Sequence, residues 1–421
     1  MIKKDKIFIG FFETAGYASN LQLGFNKLGV KNVFITFSKH SFEYDIDKKQ
    51  SIYIKYLQFI ADKHSKKKCF YIFTILHFFN KIILFLWALF NYNTFIFFNQ
   101  GSFLNNLDLP ILKFFKKKII YVFFGSAMRP PYVNGGYFYG QKNNYDQVEI
   151  LSRNIYKSVD KFSQYANYII MPTSISHFMS TKLIDLVQIG FPMEPITQVK
   201  KNKKKNFNHI VILHSPSLKK QKGTDIINKI ISELKAEGYK IDYRQISNLP
   251  NVEVLKELDQ CDFVIDQVFS DYPMAGFATE AAYYSKPAIV GGYYEKMNSD
   301  IKMKELPPVY YVDPSLLKIA IIKMIEDEHF RKNLGKRAKK FVRNYYKPEN
   351  VAKRYLKLAN DQPESNWIFN PKDISYIYGW GTPKKRLKEF LKGYIKEKGD
   401  AALYLDHSPK IKQRFLDFIN E

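Results

Sequence analysis

The residues with the clearest chemical potential lie in one stretch, 264–292, which reads VIDQVFSDYPMAGFATEAAYYSKPAIVGG. An apolar run, Phe263-Val264-Ile265, ends in Asp266-Gln267. A loop holding Pro273 and Gly276 follows, then a helical run over 277–284 with Glu280 in its first turn. Lys286-Pro287 stops that helix, and Ala288-Ile289-Val290 reads as the next strand before Gly291-Gly292. The order is strand, glycine loop, helix, strand. In an open α/β sheet, ligands bind outside the carboxyl ends of the strands. A helix N-terminus there offers free N–H groups and a positive dipole end to a phosphate. A carboxylate one turn inside that helix could hold sugar hydroxyls, or it could only complement the helix dipole.

A second block stands about 50 residues upstream: His214-Ser215-Pro216, then Lys222-Gly223-Thr224. Together the two blocks resemble the donor-sugar motif of glycosyltransferase family 4, which has the GT-B fold, and above all members that build bacterial surface polysaccharides. The matching residues are Asp266-Gln267, Gly276-Phe277-Ala278-Thr279-Glu280-Ala281 and Lys286-Pro287, with His214 and Lys222-Gly223-Thr224 on the phosphate side. The resemblance covers roughly 210–292. It implies a nucleotide-sugar donor, UDP- or GDP-linked, with Glu280 on the ribose and Lys222 at the diphosphate. The candidate donor-binding set is Gly16, His214, Lys219, Lys222, Gly223, Asp266, Gly276, Phe277 and Glu280. A diphosphate leaving group needs balancing charge from a metal or from cations and backbone N–H groups. The chain has no Asp-x-Asp at a strand end, so no metal and no other cofactor is expected, and Lys219, Lys220 and Lys222 are the available cations.

Two departures from the family pattern matter. Family 4 members commonly carry a second glutamate eight positions before the first, where this chain has Tyr272. The donor-sugar contact is therefore missing or moved to Asp271. After the apolar run 119–124 stands Gly125-Ser126-Ala127-Met128-Arg129, where relatives often have an aspartate at the position of Ala127. Arg129 is left as a candidate for an anionic group, or as a loop arginine in a surface ion pair. The family retains anomeric configuration; an inverting enzyme would need a base, for which Glu13 is the candidate, otherwise a plain loop glutamate. The catalytic candidates are thus Glu13, Asp271 and Arg129.

These residues need two scaffolds to hold them. A chain of 421 residues is long for one ordinary domain. Apolar residues make up 46%, enough for sizeable cores and too many for a disordered chain. The opening alternates strand (6–12), the small-residue turn Glu13 to Gly16, helix (18–28) and strand (33–36), which begins a parallel sheet. No GxGxxG is present. Apolar strands at 94–98, 119–124 and 168–171 continue it, with helices at 110–117, 147–166 and 174–183 and a long Gly/Asn/Tyr loop over 132–145. A second α/β unit starts at the strand 209–213, with further strands at 240–246 and 263–265 and helices at 223–238, 251–259, 314–325 and 329–345. The expected organisation is an α/β, GT-B architecture of two Rossmann-like domains facing a cleft. It runs as an acceptor domain (1–199), a linker (200–208), a nucleotide-sugar domain (209–345) and a helical tail (346–421).

Composition bounds the partners. The formal net charge is +25. Residues 1–206 carry 29 Lys+Arg against 12 Asp+Glu, so the surplus sits in the first half. A basic surface attracts nucleic acid, anionic lipid or phosphorylated substrates. No nucleic-acid-binding signature accompanies it, so nucleic acid is not the expected partner, although a basic nucleic-acid-binding protein and a degenerate GT-B scaffold remain the rival readings. The helix expected over 66–91 is strongly apolar but interrupted by His77, Asn80 and Lys81, which favours a buried or membrane-touching helix over a spanning one. Lys384 to Lys398 carries an apolar stripe, Leu387, Phe390, Leu391, Tyr394 and Ile395, flanked by lysines. Such a stripe could lie on a membrane or pack on the domains. Cys69 and Cys261, each in an apolar run, read as two buried thiols in a reducing compartment. The expectation is a cytoplasmic protein, with peripheral attachment to the inner face of the plasma membrane, acting on a glycan or lipid-linked acceptor; the oligomeric state is open.

Overall fold

The computed structural model describes residues 5–37, 52–65, 70–137, 144–194, 209–247, 249–294 and 306–421. The expected linker at 200–208, Cys69, and residues 138–143 of the expected loop lie outside the described residues. Near-continuous apolar runs form the strands, because a parallel sheet is covered by helices on both faces. The first half supplies β1 (Lys6–Phe11), β2 (Lys31–Thr36), β3 (Thr94–Phe98), β4 (Lys118–Val122), β5 (Tyr168–Met171) and β6 (Leu183–Asp185). The second supplies β7 (Ile210–His214), β8 (Ile241–Gln245), β9 (Phe263–Gln267), β10 (Ala288–Gly291) and β11 (Tyr310–Val312). A late two-residue strand, β12 (Ile368–Phe369), completes the first sheet. The strand orders are β12-β6-β5-β4-β3-β1-β2 and β11-β10-β9-β7-β8. Every pairing is parallel except β12 with β6. Two doubly wound sheets with a cleft between them are the GT-B arrangement.

Each sheet reverses its order beside its first strand, between β1 and β3 and between β7 and β9. That is where an open α/β sheet leaves a crevice at its carboxyl edge. The helices that flank the crevice are α1 (Tyr17–Lys27), α8 (Thr224–Ala236), α9 (Asn251–Gln260) and α10 (Gly276–Tyr283).

Two expectations change. The helix expected over 174–183 is absent. A single 3-10 turn, Thr173–Ile175, gives way to coil that runs into β6. The Ser176 hydroxyl donates to the Thr173 carbonyl at 2.8 Å, a local bond that competes with helix propagation. Strand pairing of β6 with β5 then fixes the segment's far end. A helix over Ile52–Ser65, α2, was not expected; it packs on α3, Phe70–Asn91.

The segment after Tyr345 is not a loose appendage. The helix Pro348–Ala359 packs on α1, β12 joins the edge of the first sheet, and the helix Lys384–Lys398 lies in the core of that same half. Its stripe residues Leu387, Phe390, Leu391 and Tyr394 are fully buried, beside Tyr132 and Tyr145. The stripe is therefore a packing face and not a membrane face. Its lysines line the solvent side of an ordinary surface helix. Leu391→Ala should destabilise the whole protein by about 2–5 kcal/mol, the range for a buried Leu truncated in a rigid core. Denaturant unfolding followed by fluorescence checks this; a change below about 0.5 kcal/mol, the range of exposed sites, would show the tail to be peripheral.

Candidate functional site

The crevice holds two adjoining hollows of about 320 and 530 Å³. Both are bounded by Thr14 and Ala15, just after β1, and by Lys222, Ala275 and Gly276 from the other half. The smaller hollow continues to Ser215, Asn251, Phe277 and Glu280. The larger continues to Gly125, Arg129, Gln267, Asp271 and Trp380. The site is thus a smaller and a larger chamber sharing one throat.

The throat gathers backbone N–H groups and one lysine. Gly276 opens α10, and Ala275 before it is extended with no side chain capping the helix. The first N–H groups of a helix have no intrahelical partner, so these face the throat with the positive end of the dipole. Opposite them, Lys222 Nζ lies 3.3 Å from Asp266 Oδ1. The Lys222 side chain is 13% exposed and that of Asp266 only 1%. Asp266 Oδ2 has no hydrogen-bond partner. Asp266 therefore anchors the lysine from beneath and does not itself reach the hollow.

Glu280 sits one turn into α10 and accepts a hydrogen bond from Asn251 Nδ2 at 2.8 Å. Its pKa is pushed up from the ordinary 4.5 to about 7. Burial is the main cause, the Asp266 charge adds to it, and the Asn251 bond opposes it. The smaller hollow therefore contains a carboxyl group that is readily neutral or charged near pH 7. Leu249 and Val254, on either side of Asn251, give the same hollow an apolar wall.

The remaining predicted residues are placed differently. His214 is fully buried; Nδ1 lies 2.7 Å from the Ile265 carbonyl and Nε2 lies 3.0 Å from Thr224 Oγ1. Burial holds its pKa near 4, so the ring is neutral and clamps β7 to β9 and α8 below the site. Gly223 does allow a close approach, but to protein: a Cβ there would stand 2.6 Å from Val268 Cβ, and its φ of 74° is left-handed. Gly276 has the opposite surroundings. A Cβ there would meet only Ala15 Cβ, at 3.9 Å across the throat, so the space it leaves belongs to the hollow. Gly16 caps α1 behind Thr14 and Ala15, which line the hollows in its place. Lys219 is exposed on a short helix outside both hollows. Phe277 lines the smaller one.

The three catalytic candidates are all engaged. Glu13 is an N-terminal cap for α1. Its Oε1 accepts from the Thr14 and Ala18 N–H groups at 2.8 and 3.1 Å, and its Oε2 from the Ser19 N–H and hydroxyl at 3.0 and 2.6 Å. A carboxylate with four donors is poorly suited to a base, and Glu13 lines neither hollow. Arg129 and Asp271 pair with each other across the cleft: Nε and Nη2 donate to Asp271 Oδ2 at 2.9 and 2.6 Å. Each side chain is 6% exposed, so Arg129 is not a surface ion pair and its charge is already balanced. Its guanidinium also stacks 5.4 Å from the Trp380 ring. Trp380 Nε1 donates to Gln267 Oε1 at 3.0 Å, and Gln267 Nε2 donates to Ser270 Oγ at 2.6 Å. Asn251 and Trp380 were not singled out in the sequence, and Gln267 was named only within the Asp266-Gln267 match, without a role of its own. Only the spacing of Gln267 next to Asp266 gave a hint, and Trp380 arrives from more than a hundred residues away. Among the described residues no three His, Cys, Asp or Glu side chains are grouped as metal ligands.

No protein-family model matches this chain, and no curated protein matches it significantly. Among solved structures, a sucrose-phosphate synthase from Thermosynechococcus elongatus is similar at 14% identity and a TM-score of 0.46, over 85% of this chain and 98% of that one. Anabaena HepE, in complex with UDP-glucose, is similar at 12% identity and a TM-score of 0.45, over 85% of this chain and 99% of that one. The Staphylococcus aureus protein MnaA, in a co-structure with UDP, has 12% identity and a TM-score of 0.44, over 85% of this chain and 97% of that one.

The raised pKa of Glu280 has a stability consequence. A carboxyl whose folded pKa exceeds its unfolded value adds stability below the unfolded value, near pH 4.5, and loses it as pH rises through about 7. The melting temperature of the wild type relative to Glu280→Gln should therefore fall across that window and be level above about pH 8. A difference that stays constant from acid to neutral pH would mean the carboxyl titrates normally.

Proposed function

We propose that this chain is a metal-independent glycosyltransferase that takes a nucleoside-diphosphate sugar in the smaller hollow and its acceptor in the larger. One observation carries the reading: the two hollows meet where Lys222 and the uncapped N-terminus of α10 converge, with Glu280 one turn further in. A nucleotide fits that order. The base packs on Leu249 and Val254, the ribose hydroxyls donate to Glu280, and the diphosphate takes the helix amides and Lys222. The sugar then projects through the throat toward the acceptor.

In the transfer step the acceptor hydroxyl oxygen bonds to the anomeric carbon as the bond from that carbon to the diphosphate breaks. The hydroxyl proton passes to the released diphosphate. Lys222 and the α10 amides offset the charge that develops there, a term usually among the largest in such reactions. Among the described residues lining the larger hollow, the only carboxylate is Asp271, and Arg129 occupies it. That supports a retaining transfer, since inversion needs a free base on the acceptor side. The resemblance of the two sequence blocks supports an acceptor in bacterial surface-glycan synthesis, lipid-linked or otherwise anionic, with the reaction on the cytoplasmic side where nucleotide sugars are made.

Glu280→Gln keeps size but weakens charge-assisted hydrogen bonds, worth roughly 1.5–3 kcal/mol each. Affinity for UDP or GDP should fall on the order of tenfold to a hundredfold by the same figure, and affinity for the bare nucleoside should fall alike. Lys222→Ala should weaken the nucleotide but hardly the nucleoside. Calorimetry on both ligands reads the contrast; equal losses for Lys222→Ala on both would remove the lysine from the diphosphate. Sugar transfer or slow donor hydrolysis should also persist in EDTA. Complete loss that Mn²⁺ restores would refute the metal-independent step.

A further inference from the structure

The sequence left open whether α3 is buried or touches a membrane, and the structure shows its outer face uncovered. Leu84, Phe85, Ala88 and Leu89 are buried in the core beneath the first sheet. On the other side Ile75, Phe78, Phe79, Ile83, Leu86 and Phe90 are 47–75% exposed. Helix spacing puts Ile75, Phe79, Ile83, Leu86 and Phe90 in one row, roughly 22 Å long at 1.5 Å per residue. More exposed apolar residues follow on the next crossover, before β4. Lys117 Nζ donates to the Tyr92 carbonyl at 2.8 Å, which seats α4 (Leu109–Phe114) beside it. There Leu107 and Phe114 are 70% and 80% exposed, and Phe115 is exposed as well. An exposed apolar row of this length on one helix is far beyond the scattered apolar residues of an ordinary surface.

We propose that this face docks on the surface of an anionic lipid bilayer. Charge decides between the possible occupants. Residues 52–118 contain ten lysines and two aspartates. Asp108 is fully buried, held by the Ser102 hydroxyl and two backbone N–H groups, so it does not offset the lysines at the surface. Lys113 and Lys116 flank Phe114 on the exposed side, and Lys55 is exposed on α2. Exposed aromatic side chains with lysines beside them match the boundary between acyl chains and anionic headgroups. A second copy of this chain would bring the same lysines into opposition. The helix is long and apolar enough to cross a bilayer, but four of its residues belong to the core and β3 begins three residues after its end. It therefore lies along the membrane. Its first half lies by the end of β2: the His77 ring is 5.3 Å from Phe37, just past that strand's carboxyl end. The docking stands on this surface alone and holds whatever the cleft transfers.

Co-sedimentation of the full chain with vesicles tests it. The protein should pellet with equimolar phosphatidylcholine and phosphatidylglycerol, much less with phosphatidylcholine alone, and should be substantially released in about 1 M salt, where screening shortens to about 3 Å. Phe79→Glu with Phe90→Glu should lower partitioning by at least about tenfold, with an unchanged circular dichroism spectrum and melting temperature. Lys113→Glu with Lys116→Glu, which leaves the apolar row intact, should abolish the preference for the anionic vesicles. The proposal falls if the wild type stays in the supernatant with both vesicles. It falls equally if the two Phe→Glu changes leave binding unaltered, if they instead dissolve a dimer seen by light scattering, or if alkaline washing fails to release the bound protein, which would indicate a span.

Discussion

Among the described residues every strand but β12 runs parallel, and that one constraint arranges the molecule. A parallel sheet must be covered on both faces, so side chains within the strands are committed to the core. Chemistry is left to the loops at the carboxyl edge, and the reversals in strand order open that edge at β1/β3 and β7/β9. Thr14 and Ala15 come from one reversal. Ser215, Lys222 and the start of α10 come from the other. Because the two edges face each other, backbone N–H groups and one anchored lysine meet in a throat, with one half-buried carboxyl in the smaller hollow behind it.

The polar residues beneath that throat are support. His214 ties β7 to β9 and α8, Asp266 holds Lys222, and Glu13 satisfies the N-terminus of α1. Each spends a group that could have done chemistry on keeping a loop in place. The Arg129–Asp271 pair does the same between the halves. A buried ion pair costs desolvation that its attraction repays only with good geometry. Here both nitrogens reach one oxygen, and Trp380 stacks on the guanidinium. The loop carrying Trp380 is also bonded to each half: its carbonyl accepts from the Gly135 N–H, and Gly381 N–H donates to the Phe269 carbonyl. The C-terminal segment is thus what closes the floor of the larger hollow.

The same segment explains why the two apolar stripes met different fates. Both stripes have helical spacing and lysine neighbours. The one in Lys384–Lys398 found an apolar surface waiting on the first half, beside Tyr132 and Tyr145, and is buried. The outer face of α3 has its core contacts on the opposite side and is left facing outward. Amphipathic pattern gives a helix a face; it does not say what covers it.

The sequence by itself determined the local order. Apolar runs marked β1 to β5 and β7 to β10 but not the short β6, β11 and β12, and the stretch from β9 through α10 to β10 was legible to within a residue or two because its punctuation is strong: Gly276 at the start, Lys286-Pro287 at the end. It also determined that Glu280 lies one turn into a helix at a strand end, since that depends only on spacing along the chain. It failed at 174–183, where the helical spacing of apolar residues was overridden by pairing with β5. What only the tertiary structure decided is which polar groups are free. The carboxyls of Glu13, Asp266 and Asp271 look equivalent along the chain. Their partners are an adjoining helix end, a lysine 44 residues away and an arginine 142 residues away. Hydrogen bonds between distant segments are fixed by packing, and packing is not written in any local pattern.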